Sequence, residues 1–301
     1  MPTMLGQNQY GKAETRVVKI VRDGATHHIK DLNVSVALSG DMDDVHYSGS
    51  NANVLPTDTT KNTVYAFAKE HGIESAEQFG IHLARHFVTS QEAIHKARIR
   101  IEEYGWQRIG TSGGAEGAEH SFMRAGQEIR VSQITFDGER WQVISGLKNL
   151  TVLNSTGSEF WGYAKDKYTT LPEAYDRILA TDVSARWRYN WTSDQAAPPD
   201  WDTSYEQARK HLIEAFAETY SLSLQQTLFH MGSRIVDSRA EIDEVRFALP
   251  NKHHFLVDLE PFGLMNDNEV YVAADRPYGL IEATVLRDGA EPLIPLHLTN
   301  I

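Results

Sequence analysis

In "TRVVKIVRDGATHHIKDLNVSVALSG", residues 15–40, two β-rich runs meet at Asp23-Gly24, and the architecture of the chain follows from how they pair. That dipeptide supplies the positive φ values a tight hairpin turn requires, so the stretch predicts a long antiparallel hairpin. Two helices are predicted next. "TDTTKNTVYAFAKEHG" (57–72) puts Val64, Phe67 and Ala68 on one face, and "SAEQFGIHLARHF" (75–87) opens with the capping box Ser75-x-x-Gln78 and aligns Phe79, Leu83 and Phe87. "AIHKARIRIEEYGWQRI" (93–109) and "HSFMRAGQEIRVSQITF" (120–136) then alternate as strands around the glycine-rich turn "GTSGGAEG" (110–117). The order is β-β-α-α-β-β.

After Asp137-Gly138 the same order returns, which divides the chain into units at 1–137 and 138–301 although few residues are shared between them. "RWQVISGLKNLTVLNSTG" and "ATDVSARWRYNW" are predicted strands, separated by a short helix whose first turn contains Pro172. After the loop "TSDQAAPPDWD", the run "SYEQARKHLIEAFAETY" reads as a helix capped by Ser204 and Gln207, with Ala208, Leu212, Ala215 and Phe216 inward. "LQQTLFHMGSRIV" reads as another, with Leu224, Leu228, Met231 and Ile235 in line. The last strand of the unit is "NEVYVAADRPYGLIEATVLR". Such an order implies an α+β fold with antiparallel sheets and helices on one face. A four-stranded sheet built this way has exposed edges, and pairing them with another copy in a ring-like oligomer would remove the hazard.

"LPNKHHFLVDL" (249–259) interrupts that pattern. Val245, Phe247 and Leu249 alternate before it, and Phe255, Val257 and Leu259 alternate within it, yet Asn251, Lys252, His253 and His254 stand between. Pro250 cannot donate to a ladder, so the polar residues are expected at a break or bulge that re-aims side chains.

Composition narrows the partners. The chain has 301 residues, 29 basic against 41 acidic side chains and a net charge of −12, which disfavours a general electrostatic grip on nucleic acid or anionic lipid. An anionic ligand needs a local cationic pocket. With no cysteine there is no thiolate nucleophile, disulfide or Cys-type metal site. No run approaches membrane-spanning length and the start carries no apolar signal core, which predicts a cytoplasmic protein.

Several residues have chemistry to offer, each beside an ordinary reading. Lys12 lies just before a strand, where lysines are usually solvated. Thr57 and Asp58 open a helix, where N-capping competes with anion binding by free N–H groups. Phe160, Trp161 and Tyr163 could stack on a planar ring or anchor their loop on the sheet. Arg177 offers a planar fork of donors to a ligand or to a neighbouring carboxylate. Gln225, at a helix start, offers a donor and an acceptor to a heterocycle or serves as a cap. His82 and His86 have the i, i+4 spacing of a metal pair, but no glutamate follows the first and no third ligand lies close by, so no metal is assigned. There is no G-x-S-x-G elbow, G-x-x-x-x-G-K-[ST] loop or post-strand G-x-G-x-x-G.

Together, "YGKAETRV" (10–17), "TDTTKNTVYAFAKEHG" (57–72), "NLTVLNSTGSEFWGYAKDKYTTLPEAYDRILATDV" (149–183) and "LPNKHHF" (249–255) resemble the uricase (urate oxidase) family, in that order and across nearly the whole chain. The resemblance implies two tandem tunnelling-fold (T-fold) units, a homotetramer enclosing a β-barrel tunnel, active sites at subunit interfaces, and no metal or organic cofactor. It implies oxidation of urate by O2 and water to 5-hydroxyisourate and hydrogen peroxide. The family's proton relay falls on Lys12, Thr57 and His253, and its stacking ring on Phe160. The in-plane clamp falls on Arg177 and Gln225, and the residue holding dioxygen or water on Asn251. Asp58 and Leu224 would offer backbone N–H groups, and His254 has no catalytic role. The ending "HLTNI" lacks the peroxisomal tripeptide of many eukaryotic members, which points to a bacterial-type cytoplasmic enzyme. The alternative reading is a non-oxidative T-fold enzyme, or a binding protein, for a pterin or purine.

Overall fold

In the computed structural model, residues 3–112 and 118–299 are described; residues 113–117 of the glycine-rich turn lie outside them. The chain forms two compact units, residues 1–146 with 188–204 and residues 147–187 with 205–301. Within each unit the hydrogen-bonded strands are neighbours in chain order.

The first unit opens with the predicted hairpin, strands β1 (Tyr10–Asp23) and β2 (Thr26–Gly40), with Asp23 opposite Thr26 and Gly24 at φ 58°. A single turn α1 (Asp43–Tyr47) precedes helices α2 (Thr57–Glu70) and α3 (Ala76–Ser90), and strands β3 (Ile94–Arg108) and β4 (Phe122–Phe136) follow. All three strand pairs from β1 to β4 are antiparallel. Period-two alternation in β2 and β3 turns Leu32, Val34, Val36 and Leu38, with Ala97, Ile99 and Ile101, away from water, and α3 buries Phe79, Leu83 and Phe87 against β3 and β4. Each large aliphatic or aromatic side chain buried this way contributes about 1.5–3 kcal/mol. The Ser75 hydroxyl caps α3 by accepting from the Gln78 N–H. Lys12 lies inside β1 rather than before it, at a register break between Lys12 and Thr15.

Strands β5 (Trp141–Asn154) and β6 (Leu179–Tyr189) have residues in both units. Helix α4 (Trp201–Glu218) starts in the first unit and runs into the second from Tyr205, and the second unit continues with helix α5 (Leu224–Ser238), then the antiparallel strands β7 (Ile242–Leu256) and β8 (Tyr271–Leu286). Leu224, Leu228, Met231 and Ile235 form the buried face of α5, which packs on β7 and β8. The α+β class and the order of elements hold.

Three further local expectations change. Residues 171–178 form no helix: Ala174 instead bridges to Phe160, and Glu173 is held by Lys165 and Tyr175, so the segment's side chains satisfy a loop. Helix α4 begins before Ser204, because Asp200 accepts the N–H of Thr203 at 3.0 Å and is the better cap. Strand β7 stops at Leu256, and its first half is buried on both faces through Pro250 rather than on one. The second face is covered because buried Glu244 accepts the N–H groups of Leu293 and Ile294.

Candidate active site

The break in β7 is where expected. Asn251 is opposite Gly279 and His253 opposite Ala274, so one residue on β7 answers four on β8. Residues two apart share a strand face, and Asn251 and His253 both line one cavity. Lys252 points away and pairs with Asp182 at 2.5 Å. The cavity measures about 310 Å3 and lies wholly within the second unit; Phe160, Arg177, Leu224 and Gln225 complete its functional lining. That size is at the small end for ligand pockets and suits one bicyclic molecule.

Each wall has a local cause. Phe160 exchanges both backbone hydrogen bonds with Ala174, at 2.8 and 2.9 Å. Arg177 donates its backbone N–H to the Ser158 carbonyl at 2.9 Å and its Nε to the Ser158 hydroxyl at 3.2 Å. Ser158 is fully buried and bridges to Ser221, whose hydroxyl donates to the Ser223 carbonyl at 3.1 Å. The arginine and the start of α5 are therefore fixed on one scaffold. Ser223 caps α5 by accepting from the Gln226 N–H, which leaves the N–H groups of Leu224 and Gln225 without intrahelical acceptors. The Gln225 side chain is not the cap and makes no hydrogen bond among the described residues.

The electrostatics favour an anion. Arg177 is half-buried and pairs with no carboxylate among the described residues; burial alone pulls its pKa down. Its guanidinium carbon stands 5.1 Å over the Phe160 ring. A cation removed from water without a counter-ion is costly, and a bound anion offsets that cost. Burial, then Arg177, then His254 hold the His253 pKa below its ordinary value, so its imidazole is neutral at pH 7 and can accept a proton. The cavity's remaining surface is mostly apolar and includes Leu171, Ile178 and Ile281. His254 also lines it, with Nδ1 3.1 Å from the Lys252 carbonyl.

Lys12, Thr57 and Asp58 belong to the first unit and do not line this cavity. Thr57 is not a cap: Pro56 occupies that position, no side chain caps α2, and the Thr57 hydroxyl has no hydrogen-bond partner among the described residues. Asp58 is engaged by Lys61 and, at 3.1 Å, by Asn62, and its pKa is lowered chiefly by the hydrogen bond from Lys61. His82 bonds to Gln78 at 2.8 Å and His86 packs edge-on to Phe67. Among the described residues no group of three or more His, Asp or Glu side chains is placed to hold a metal, and no helix is long and apolar enough to cross a membrane.

Sequence reasoning missed Leu171, Ile178, Gly279 and Ile281 as cavity walls. Gly279 had the one usable signal, a glycine within a strand pattern, which marks a bulge or a close approach.

Comparison with known proteins places the whole chain in one family. The uricase family model matches residues 8–135 and 143–282. A uricase of Arthrobacter globiformis is 50% identical over 293 residues, covering 97% of this chain and 93% of the relative. A uricase of Emericella nidulans is 38% identical, covering 93% and 96%. The crystal structure of the Arthrobacter globiformis uricase superposes with a TM-score of 0.91 at 49% identity, covering 98% of this chain and 99% of that one. With the family model matching residues 8–135 and 143–282 and a relative 50% identical over 97% of this chain, the chain belongs to the uricase family.

Proposed function

We propose that this chain is a urate oxidase that converts urate, O2 and water to 5-hydroxyisourate and hydrogen peroxide at the cavity of the second unit. The observation that carries the reading is the half-buried Arg177, without a carboxylate partner among the described residues, held beside the exposed amide of Gln225 and the ring of Phe160. Urate is a planar, electron-rich anion. The ring stacks on it, while guanidinium and amide grip its edge and supply the local positive charge that a molecule of net charge −12 otherwise lacks. The free N–H of Leu224, at the positive end of α5, takes a polar edge of the purine, and Asp58 offers the same at α2.

The electrons come from urate itself. Removing a second proton from bound urate makes electron transfer to dioxygen easier, and neutral His253 with Lys12 and the uncommitted hydroxyl of Thr57 forms the path for that proton. Asn251 holds dioxygen and afterwards water above the ring. Water then adds to the oxidised ring, and the two electrons and two protons leave as hydrogen peroxide.

Lys12 and Thr57 reach the cavity of a neighbouring copy in this proposal. Strands β1 and β8 each have one hydrogen-bonded neighbour and expose Val18 and Val21 on β1 and Val272 and Leu280 on β8. Open, apolar-sided edges of that kind are removed by pairing with another chain. A homotetramer enclosing a tunnel, acting in the cytoplasm, completes the proposal.

The test is direct. Protein exhaustively treated with chelator and mixed with urate under air is expected to consume urate's ultraviolet band and release one peroxide per urate. Urate left intact overturns the proposal.

A further inference from the structure

Phe160 has two faces, and the structure accounts for one of them. Gly162, at φ 71°, turns the chain back directly after Trp161, in a conformation glycine adopts without strain. The turn lays the Tyr163 ring on Phe160 with centroids 5.0 Å apart and planes 14° from parallel, an offset-stacked pair. Tyr163 is not among the residues that line the cavity, so it backs the plate from outside.

Tyr163 is itself held from several directions. Its hydroxyl donates to the backbone carbonyl of Leu171, which is a cavity wall. The Lys165 ammonium stands 5.4 Å over its ring and 3.1 Å from Glu173. Glu173 in turn accepts from the Gly162 N–H, at 3.4 Å, and from the Tyr175 hydroxyl, at 3.0 Å. None of these groups has a part in binding or proton transfer as described above, yet they converge on the ring behind Phe160.

We propose that Tyr163 is a positioning residue for the purine: its ring closes the outer face of Phe160 and fixes the tilt of the inner one, while its hydroxyl holds the Leu171 wall at stacking distance. The inference rests on the urate reading of the same cavity. Its physical basis is pre-organisation, since a ring already clamped loses less rotamer freedom when a ligand stacks on it. Such a residue acts on affinity in the ground and transition states alike, so its loss raises KM and leaves kcat in place.

The experiment compares wild type with Tyr163→Ala and Tyr163→Phe, measuring kcat and KM for urate and the equilibrium Kd for xanthine, a purine without the 8-oxo group. Removing an aromatic pair is expected to raise KM for urate and Kd for xanthine about 3- to 10-fold in Tyr163→Ala, with kcat within about 2-fold of wild type. Tyr163→Phe, which keeps the ring, is expected to recover most of that loss. Thermal melts establish that each variant is folded, and Tyr163→Leu, which keeps bulk without a flat face, replaces an alanine variant that is not. An unchanged KM and Kd, a fall in kcat at constant KM, or a phenylalanine variant as impaired as alanine each overturn the proposal. A wild type that binds xanthine but leaves urate intact refutes the oxidase reading instead, and the xanthine arm still decides the role of Tyr163.

Discussion

Arg177 carries the most information of any residue, because a guanidinium drawn out of water with no carboxylate partner among the described residues has an unmet electrostatic need. Substituting Arg177→Gln removes a charge-assisted hydrogen bond to an anion, and urate KM is expected to rise roughly 10- to 150-fold in steady-state assays. Lys12→Met and Thr57→Ala are expected to behave oppositely, lowering kcat while KM stays near wild type, because a proton path is used only on the way to the transition state. The sign for His253 follows from its surroundings. Burial, Arg177 and His254 depress its pKa below 6.5, so it stays neutral as pH falls past the ordinary histidine value and is protonated only below it. The acid limb of activity is therefore expected below pH 6.5, and Arg177→Gln is expected to move the imidazole's NMR titration upward, toward but not to the ordinary value, since burial is the larger cause. At this scale the sequence was legible where chemistry and pattern collide: four polar residues inside an apolar strand at Asn251–His254 stand out. Leu171 and Ile178 do not, because an apolar loop residue looks the same in a sequence whether it faces a cavity or backs one; for the same reason the cluster Phe160, Trp161 and Tyr163 stands out without showing which ring faces the cavity and which lies behind it.

Element α5 ties stability to the site, since its buried face packs on β7 and β8 and its first two residues line the cavity. Ser223→Ala removes the hydroxyl that accepts from Gln226, and a loss of about 1 kcal/mol is expected from denaturant titration. Gly232 sits where α5 meets β8. A Cβ there would lie 2.6 Å from Val285 Cγ2 and 2.8 Å from its Cβ, so α5 or β8 has to shift. Gly232→Ala is expected to destabilise by about 1–3 kcal/mol despite alanine's better helix propensity, and to raise urate KM by displacing Leu224 and Gln225. The helices and strands themselves were legible from period and capping, as Ser75 and the Asp23-Gly24 turn illustrate. Residues 171–178 were not, because "LPEAYDRI" has a helix-like start, and only the bridge to Phe160 and the ties on Glu173 make it a loop. Likewise Asp200, not Ser204, starts α4, since both are good caps and sequence alone does not rank them.

The whole molecule raises the question of where Lys12 and Thr57 act, since they lie in the first unit and the cavity is formed by the second. The repeated order of elements was legible across the chain because turns and hydrophobic periods recur, whereas the assembly is written only indirectly, in strands β1 and β8 with one partner each. On the proposed mechanism, one urate is held by Arg177 of one copy and deprotonated through Lys12 and Thr57 of another. Differently tagged Lys12→Met and Arg177→Gln chains, each nearly inactive alone when urate is held far below the raised KM of Arg177→Gln, can be co-expressed and the doubly tagged hybrid purified. Random pairing predicts about one quarter of wild-type sites intact and a matching recovery of peroxide release. Hybrids that contain both chains yet release no more peroxide than their parents would contradict the claim.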